Sequence, residues 1–127
     1  MIPADCSVIV VSWNTRDLLE ACLASVREKA PGAEAIVVDN GSADGSAAMV
    51  RAKFPEAVLV ENPSNRGFAR AVNQGLDRAA RPVAVLLNPD ATLSGGALEE
   101  LLKALDADPA IGIAGAQLLD QDGRRQH

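Results

Sequence analysis

Short apolar runs recur along the chain, and each has the length of a β-strand. They lie at residues 7–12, 35–39, 57–61, 83–87 and 111–116. They are mostly Val, Ile and Leu, without the alternation of apolar and polar side chains that marks a half-exposed strand. Such continuous runs are typical of parallel strands covered on both faces. The pattern therefore predicts five parallel strands.

The segments between these runs carry apolar residues at helical spacing. The four stripes are Leu18, Leu19, Cys22, Leu23 and Val26; Ala48, Met49, Val50 and Phe54; Phe68, Val72, Leu76 and Ala79; and Leu98, Leu101, Leu102 and Leu105. Thr15, Asp44 and Ser94 are the predicted N-caps, and prolines fall where the helices should have ended. The alternation predicts one α/β domain over residues 1–127, a three-layer α/β/α sandwich with a mostly parallel sheet and right-handed crossovers.

Composition and charge are consistent with one domain with an aliphatic core, and they limit the classes of molecule that it can bind. The 127 residues are 48% hydrophobic but only 2% aromatic, so the core must consist of Ala, Val, Leu and Ile. A chain of this length can bury about two-thirds of its unfolded surface. The formal net charge of -5 offers no basic surface to DNA, RNA or an anionic membrane, yet it allows a small phosphorylated ligand. Nucleic acid is therefore not an expected partner.

Two cysteines and one histidine limit the chemistry further. Cys6 and Cys22 are too few and too far apart for a zinc site or a disulfide framework, so we expect a reducing compartment and two buried thiols. The first residues lack a signal-peptide pattern, and no run approaches the ~20 apolar residues of a membrane-spanning helix, which predicts a cytoplasmic location. His127 is the sole histidine and the last residue, which argues against histidine-dependent hydrolases.

Polar residues follow the first four apolar runs, at the carboxyl ends where open α/β sheets bind ligands. They are Trp13–Asn14, residues 39–42, residues 62–67 and residues 88–90. The fingerprints G-x-G-x-x-G and G-x-x-x-x-G-K-[ST] do not occur, which excludes a dinucleotide-binding dehydrogenase and a P-loop NTPase. A receiver-like signalling domain of similar topology would need clustered acids after the first strand and a late lysine on the same face, and the sequence has neither.

Four stretches at these strand ends carry a family resemblance. "VIVVSWN", "AIVVDNGSADGS", "NRGFARAVNQG" and "VAVLLNPDA" resemble, in order and spacing, the family 2 glycosyltransferases of the GT-A fold, especially the rhamnosyltransferase-like branch. The resemblance extends from residue 7 to the end. It implies inverting transfer of a sugar such as rhamnose from a dTDP- or UDP-sugar to a glycan or lipid-linked acceptor in cell-surface polysaccharide synthesis.

The resemblance also implies a division of labour along the chain. In the family, the first half of the domain binds the nucleoside diphosphate sugar and a divalent metal, and the second half binds the acceptor and supplies the general base. This chain resembles the first half, so the acceptor-binding half and the base are expected beyond residue 127. This chain alone would then be inactive, with a peripheral position at the inner membrane face through its acceptor. A turn at Asp122–Gly123, after a strand-like start, explains Asp120 and Asp122 better than catalysis does.

Asp39 has two interpretations that can hold together. The family places this residue against the pyrimidine base, whose N3–H a carboxylate accepts as a charge-assisted hydrogen bond. Alternatively, Asp39 closes its own turn through Gly41 and Ser42, as Asx turns do. The two roles can coexist on separate oxygens of one carboxylate.

Asn88 and Asp90 match the metal motif of the family, with Asn in place of the first acid as in the rhamnosyltransferase-like branch. The resemblance implies that Asp90 binds Mg²⁺ or Mn²⁺ bridging the diphosphate, with phosphate oxygens and waters completing the shell. Pro89 disfavours helical geometry at Asn88 and holds the turn open. The alternative is an ordinary Asn-Pro-Asp turn before a helix capped by Ser94.

Four further residues complete the expected nucleotide-sugar site. The family places Gly67 and Asn73 on the nucleotide side, and close backbone approach would explain the glycine. Arg66 either meets a phosphate or is solvated. Asn14 is expected beside the base or ribose, with Trp13 packed next to it in the core.

A second hypothesis comes from a different functional class. The chain would be a stand-alone nucleotide-sugar-binding or interaction module without catalysis. It would form a homodimer through the face that the second half would otherwise cover, because an uncovered sheet edge and apolar surface favour association.

Overall fold

The computed structural model describes residues 1–120 and 122–126, and within them four β-strands alternate with four α-helices. The strands are β1 (Cys6–Ser12), β2 (Glu34–Asp39), β3 (Val58–Glu61) and β4 (Val83–Leu86). The helices are α1 (Arg16–Lys29), α2 (Ser46–Lys53), α3 (Phe68–Arg78) and α4 (Ala97–Ala107). Each strand begins and ends within one residue of a predicted apolar run, so the first four predicted strands are confirmed.

The four strands form one parallel sheet in the order β3-β2-β1-β4. The register pairs Ser12 with Asp39, so β1 and β2 end level. On the other side of β1, Ile9 pairs with Leu86, and the Leu87 N–H donates to the Ile9 carbonyl at 3.0 Å. Continuing this register places the residues that follow β4 level with Ser12. The loops after the strands therefore lie along one edge of the sheet, which we call the strand-end edge.

Helices cover both faces of the sheet, as predicted. On one face α1 and α2 enclose a core that includes Val8, Val10 and Val37, and Leu98 and Leu102 of α4 pack nearby against the start of β1. On the other face α3 packs over β1 and β2. These three layers confirm the predicted α/β/α sandwich, and both cysteines are buried as predicted.

Gly75 determines how closely α3 approaches the sheet. A Cβ built at this position would lie 2.5 Å from Cγ2 of Ile9, so any larger residue would push the helix away from β1. Intrinsic helix propensity disfavours glycine in a helix interior. The tertiary contact therefore explains a residue that the local sequence does not.

The part of the α3 face beside β4 is exposed. Gly75 faces the sheet, and Gln74 points to the end of β3, so Leu76 lies on the side of the helix toward β4. Leu86 of β4 is 56% exposed because α3 covers only β1 and β2. Phe68, the first residue of α3, is also largely exposed. We call Phe68, Leu76 and Leu86 the β4 shelf.

Two predicted helix starts differ from the observed ones. The prediction that Ser94 caps the last helix is wrong, because α4 begins at Ala97 after Gly96, which adopts a left-handed φ of 82°. Asp44 lies one residue before the N-cap of α2, yet its carboxylate accepts the Ser46 N–H at 3.1 Å. In both places the N-cap is a glycine with positive φ, Gly45 or Gly96, that follows the polar residue predicted as the cap.

The predicted fifth strand at 111–116 is wrong. Residues 111–118 have no regular secondary structure, and Ile113 is 93% exposed. The run contains two glycines and two alanines, so it offers less apolar area and less β-propensity than the four runs that pair. An apolar run becomes a strand only where a neighbouring strand is available, and this condition is not local.

The final described residues form a turn. Leu119 and Arg125 make an isolated antiparallel bridge, and the Asp120 carboxylate accepts the N–H groups of Asp122 and Arg124 at 3.0 and 2.9 Å. The predicted turn at Asp122–Gly123 is confirmed. His127 lies outside the described residues. None of the helices in the described ranges has the length and hydropathy needed to cross a membrane.

Candidate functional site

Asn14 joins the loops that follow β1 and β2. Its N–H donates to Oγ of Ser42 at 2.9 Å, and its Oδ1 accepts the Ala43 N–H at 2.8 Å. To make both bonds Asn14 adopts a left-handed φ of 53°, which asparagine tolerates better than most residues. Thr15 is the N-cap of α1 as predicted, but its hydroxyl bonds the hydroxyl of Ser12 at 2.8 Å instead of the helix. Within the protein, therefore, the Asn14 side chain orders the strand-end edge.

The expectation that Trp13 lies in the core is wrong. Its side chain is 53% exposed. Trp13 comes directly after β1, at the strand-end edge, beyond the helices that bury the strand itself. The only tryptophan of the chain thus presents an aromatic surface beside the loop that Asn14 ties to β2.

Asp39 ends β2 and is almost completely buried, at 4% exposure. Its Oδ2 accepts the Ser42 N–H at 3.1 Å, which confirms the predicted turn interaction. Its Oδ1 is buried and has no hydrogen-bond partner among residues 1–120 and 122–126. We call this atom the open oxygen of Asp39. A buried polar atom without a partner costs about 1–3 kcal/mol, so a donor supplied by a ligand would relieve a real penalty.

A network of side-chain amides lies next to Asp39, and sequence reasoning did not find it. Nδ2 of Asn62 donates to Oδ1 of Asn40 at 3.1 Å and to Oε1 of Gln74 at 2.7 Å. Nε2 of Gln74 returns a bond to Oδ1 of Asn62 at 2.8 Å. Asn40 and Asn62 are buried at the ends of β2 and β3, and Gln74 reaches them from α3. The only signal in the sequence is an asparagine directly after each strand.

The same network holds the loop that carries Arg66 and Gly67. Oδ1 of Asn40 accepts the Arg66 N–H at 3.1 Å, and its Nδ2 donates to the Gly67 carbonyl at 3.2 Å. Gly67 has a positive φ of 87°, and nothing in the described chain lies within 4 Å of a Cβ built there. Its backbone conformation, rather than crowding by the protein, requires glycine. The side chain of Arg66 is exposed.

Gly41 allows the loops after β2 and β3 to touch backbone to backbone. A Cβ at this position would lie 2.7 Å from Cα of Ser64, and the residue has a positive φ of 83°. Both constraints select glycine. The Asp39 turn and the Arg66 loop are therefore packed directly against one another.

Asn73 is the predicted site residue that the structure does not bring together with the others. It is exposed on α3, on the side of the helix away from Ala71 and Gly75, which are buried against the sheet. The adjacent residue, Gln74, makes the amide contacts instead.

Asn88, Pro89 and Asp90 form a turn directly after β4. The Ala91 N–H donates to the Asn88 carbonyl at 3.1 Å, and the thiol of Cys22 donates to the same carbonyl at 3.6 Å. Burial, with a smaller contribution from the negative charge of Asp90, raises the pKa of Cys22 to about 12. The Asn88 carbonyl thus contacts α1, and Asp90 occupies an exposed position of the same turn.

Asp90 fits a metal that is shared with a ligand. In the described ranges no cluster of three or more His, Cys, Asp or Glu side chains can hold an ion by itself. A single exposed carboxylate is a hard oxygen donor suited to Mg²⁺ or Mn²⁺ when phosphate oxygens and waters supply the other ligands. The turn follows β4 and Asp39 ends β2, with β1 between them, so two strand spacings, about 10 Å, separate the two positions.

Comparison with known proteins places this chain in a family. A sequence profile of Glycosyl transferase family 2 matches residues 7–126. The chain belongs to glycosyl transferase family 2.

Relatives of this family 2 chain are named as a rhamnosyltransferase and as a protein of succinoglycan biosynthesis. It is 27% identical over 128 residues to an N-acetylglucosaminyl-diphospho-decaprenol L-rhamnosyltransferase of Mycobacterium tuberculosis, which covers 91% of this chain and 42% of that protein. It is 30% identical over 129 residues to the succinoglycan biosynthesis protein ExoU of Rhizobium meliloti, covering 96% of this chain and 38% of that protein. The chain thus spans less than half the length of these relatives.

Solved structures agree on the fold of the family 2 domain. A mannosyltransferase from Pyrobaculum calidifontis, in complex with GDP-Man and Mn²⁺, superimposes with a TM-score of 0.77 at 32% identity, over 87% of this chain and 35% of that chain. TarS of S. aureus superimposes with a TM-score of 0.71 at 20% identity, over 80% of this chain and 32% of that chain, which supports the fold alone. The predicted GT-A fold is confirmed.

The candidate site therefore draws on four loops of the strand-end edge. Asp39, Arg66 and Gly67 are joined through Asn40, and Asn14 fixes the Asp39 turn. The turn with Asn88 and Asp90 lies along the same edge, beyond β1. The strand-end edge thus carries one buried acceptor, one exposed arginine and one exposed carboxylate.

Proposed function

We propose that this chain is the nucleotide-sugar-binding part of an inverting glycosyltransferase whose donor is a dTDP- or UDP-sugar. The observation that carries the proposal is the open oxygen of Asp39, which lies on the same edge as the Asn88–Asp90 turn. One end of the site offers a buried acceptor for a base N–H. The other end offers a carboxylate for a metal on the diphosphate.

The single open oxygen of Asp39 favours a pyrimidine. Uracil and thymine present one donor, N3–H, between two carbonyls, which matches one acceptor oxygen. Guanine presents two adjacent donors, N1–H and the 2-amino group, and pairs best with both oxygens of a carboxylate. Here Oδ2 already accepts the Ser42 N–H. The Pyrobaculum relative was solved with GDP-Man, so guanine is the competing base that a test must include.

We assign the diphosphate to the region between Arg66 and Asp90. Arg66 would contact a phosphate, Gly67 would leave the backbone beside it uncovered, and Asn14 would keep the Asp39 turn in place next to the base. Asp90, with Asn88 beside it, would hold Mg²⁺ or Mn²⁺. When bound, the ion neutralises the charge that develops on the leaving diphosphate. The exposed position of Asn73 favours a contact with a later segment over a contact with the nucleotide.

The transfer step requires groups that we place beyond residue 127. An acceptor hydroxyl attacks the anomeric carbon, the bond to the diphosphate breaks, and a general base takes the hydroxyl proton. We propose that an Asp or Glu of the following segment is this base and that the acceptor is a glycan or lipid-linked sugar in cell-surface polysaccharide synthesis. The similarity to a rhamnosyltransferase favours rhamnose as the sugar. A lipid-linked acceptor would hold an otherwise cytoplasmic enzyme at the inner membrane face.

Titration with four nucleotides tests the donor assignment. The fluorescence of Trp13, the only tryptophan, reports on the strand-end edge, and calorimetry gives an independent affinity. We expect UDP or dTDP to bind more tightly than GDP and CDP, and we expect Mn²⁺ to strengthen binding. A preference for GDP, or a Trp13 signal that no nucleotide changes while calorimetry shows no heat, would contradict the proposal.

The β4 shelf supports a second candidate, a binding module that associates with a second copy of itself. The three large apolar side chains of the β4 shelf are exposed, and Leu86 belongs to the edge strand β4. Exposed apolar surface beside an unpaired strand edge favours self-association. Sedimentation should then show a concentration-dependent dimer that Leu86→Lys abolishes. A monomer at all concentrations would contradict this candidate without affecting the first.

A further inference from the structure

The side chain of Asn40 bonds to a different loop from the one in which Asn40 lies. Its side chain is buried, and all three of its hydrogen bonds lead to the loop after β3: from Asn62 at 3.1 Å, from the Arg66 N–H at 3.1 Å and to the Gly67 carbonyl at 3.2 Å. Asn40 follows Asp39 directly. Asn40 is thus adjacent to Asp39, which we propose binds the base, and it holds the backbone of Arg66, which we propose binds a phosphate.

Apart from the backbone contact of Ser64 with Gly41, the loop between β3 and α3 has few other constraints. Residues 63–67 are exposed. Apart from Asn40, the hydrogen bond between Oδ1 of Asn65 and the Gly67 N–H is local to the loop itself. Gln74 fixes Asn62 through two reciprocal amide bonds and so fixes the position from which Asn40 acts. Removing the Asn40 amide would release the Arg66 backbone while leaving β3 and α3 in place.

We infer that Asn40 is a positioning residue: its side-chain amide holds the Arg66–Gly67 backbone so that the Arg66 guanidinium meets the diphosphate. The inference rests on the proposed nucleotide site. Within the described ranges no salt bridge or hydrogen bond engages the Arg66 guanidinium, so its charge is available to an anion. Residues 39 and 40 then couple recognition of the base to recognition of the diphosphate.

Comparison of UDP with uridine separates positioning from general damage. In Asn40→Ala we expect the dissociation constant of UDP with Mn²⁺ to rise about tenfold, because a loosened Arg66 loses a charge-assisted contact. Uridine lacks the diphosphate, so its dissociation constant, measured by ligand-detected NMR, should change less than about twofold. Equal weakening of both ligands would overturn the inference.

A double-mutant cycle tests whether Asn40 acts through Arg66. In an Arg66→Ala background, Asn40→Ala should change UDP affinity by less than about twofold, because the guanidinium that Asn40 positions is already absent. A full tenfold effect in that background would overturn the inference. Ser7→Ala is the matched control: Ser7 is fully buried at the opposite end of β1 and bonds Glu34 at 2.6 Å. It should lower the melting temperature and leave UDP affinity unchanged.

Hydrogen exchange without ligand distinguishes failure of this inference from failure of the proposed function. Asn40→Ala should accelerate exchange of the Arg66 amide, whose partner is lost, and leave the amides of β2 protected. If Asn40→Ala fails to fold, Asn40→Asp serves instead: it retains an acceptor for the Arg66 N–H but opposes the Gly67 carbonyl, so partial loss is expected. An unchanged loop contradicts the inference alone, whereas wild-type protein that binds no UDP contradicts the proposed function.

Discussion

The carboxylate of Asp39 accepts the N–H of Ser42 at 3.1 Å with Oδ2, while its open oxygen, Oδ1, is buried beside it. One side chain therefore does two things: it closes the turn after β2 and keeps a second, unsatisfied acceptor at the end of that strand. A buried acceptor of this kind is unfavourable in the folded protein unless a ligand satisfies it.

Asp39→Asn should separate these two effects. The amide has one oxygen, which either the Ser42 N–H or a base N–H can use, so UDP affinity should fall about tenfold or more. Removal of a buried negative charge should leave the melting temperature equal or higher. Calorimetry and thermal unfolding measure both quantities. A lower melting temperature with unchanged UDP affinity would assign Asp39 to the turn alone.

Asp90→Asn should remove the metal dependence of nucleotide binding. The variant keeps the size of the side chain and the Asn88–Ala91 turn but loses the charge that a divalent ion requires. We expect UDP affinity with Mn²⁺ to fall about tenfold, to the metal-free value, in a titration with and without the ion. Asp77→Asn, an exposed carboxylate on α3, is the control. Equal metal enhancement in wild type and Asp90→Asn would refute the metal assignment.

Gly75→Ala should destabilise the domain by roughly 1–3 kcal/mol, because the new methyl group would overlap Cγ2 of Ile9 at 2.5 Å. Gly95→Ala, where no described atom lies within 4 Å of the added Cβ, is the matched control and should have little effect. Urea unfolding gives both free energies. In combination with Ile9→Ala, the cost of Gly75→Ala should shrink, since the overlapping atoms are gone. If the effects of Gly75→Ala and Ile9→Ala on the free energy of unfolding were additive, α3 would not contact β1 at these two residues.

Acidification should weaken the end of the sheet opposite the site. The Ser7 hydroxyl, and secondarily the Ala80 N–H, lower the pKa of Glu34 from its ordinary value of 4.5. The unfolded chain therefore binds more protons than the folded chain at low pH. The contribution of Glu34 is complete above pH 4.5 and is lost as the pH falls through the folded-state pKa.

The measurement is the free energy of unfolding in urea between about pH 6 and pH 3, compared with Ser7→Ala. The variant loses the main cause of the pKa shift, so its stability should depend less on pH across this range. Nucleotide affinity at neutral pH should be the same in both proteins. An identical pH dependence in wild type and variant would show that the Ser7–Glu34 bond does not form in solution.

The order of elements was determined by the local sequence. Four apolar runs became four strands within one residue of their predicted ends, and polar residues after them reached one edge, because parallel strands share a direction. The family motifs are likewise local, and the profile match over residues 7–126 confirms the family that they indicated. The spacing of apolar residues and the residue types found at turns depend on neighbouring residues, so both can be predicted from the sequence.

Contacts between distant segments were decided only by the tertiary structure. The run at 111–116 has the length of a strand but no partner strand among the described residues, and Trp13 looked like a core residue but is exposed after β1. Asn40 bonds Asn62 at the end of the neighbouring strand, and Gly75 of α3 packs against Ile9 of β1. Whether a polar atom is satisfied, as in the open oxygen of Asp39, depends on every group that the fold brings near it. That sum cannot be read from one stretch of sequence.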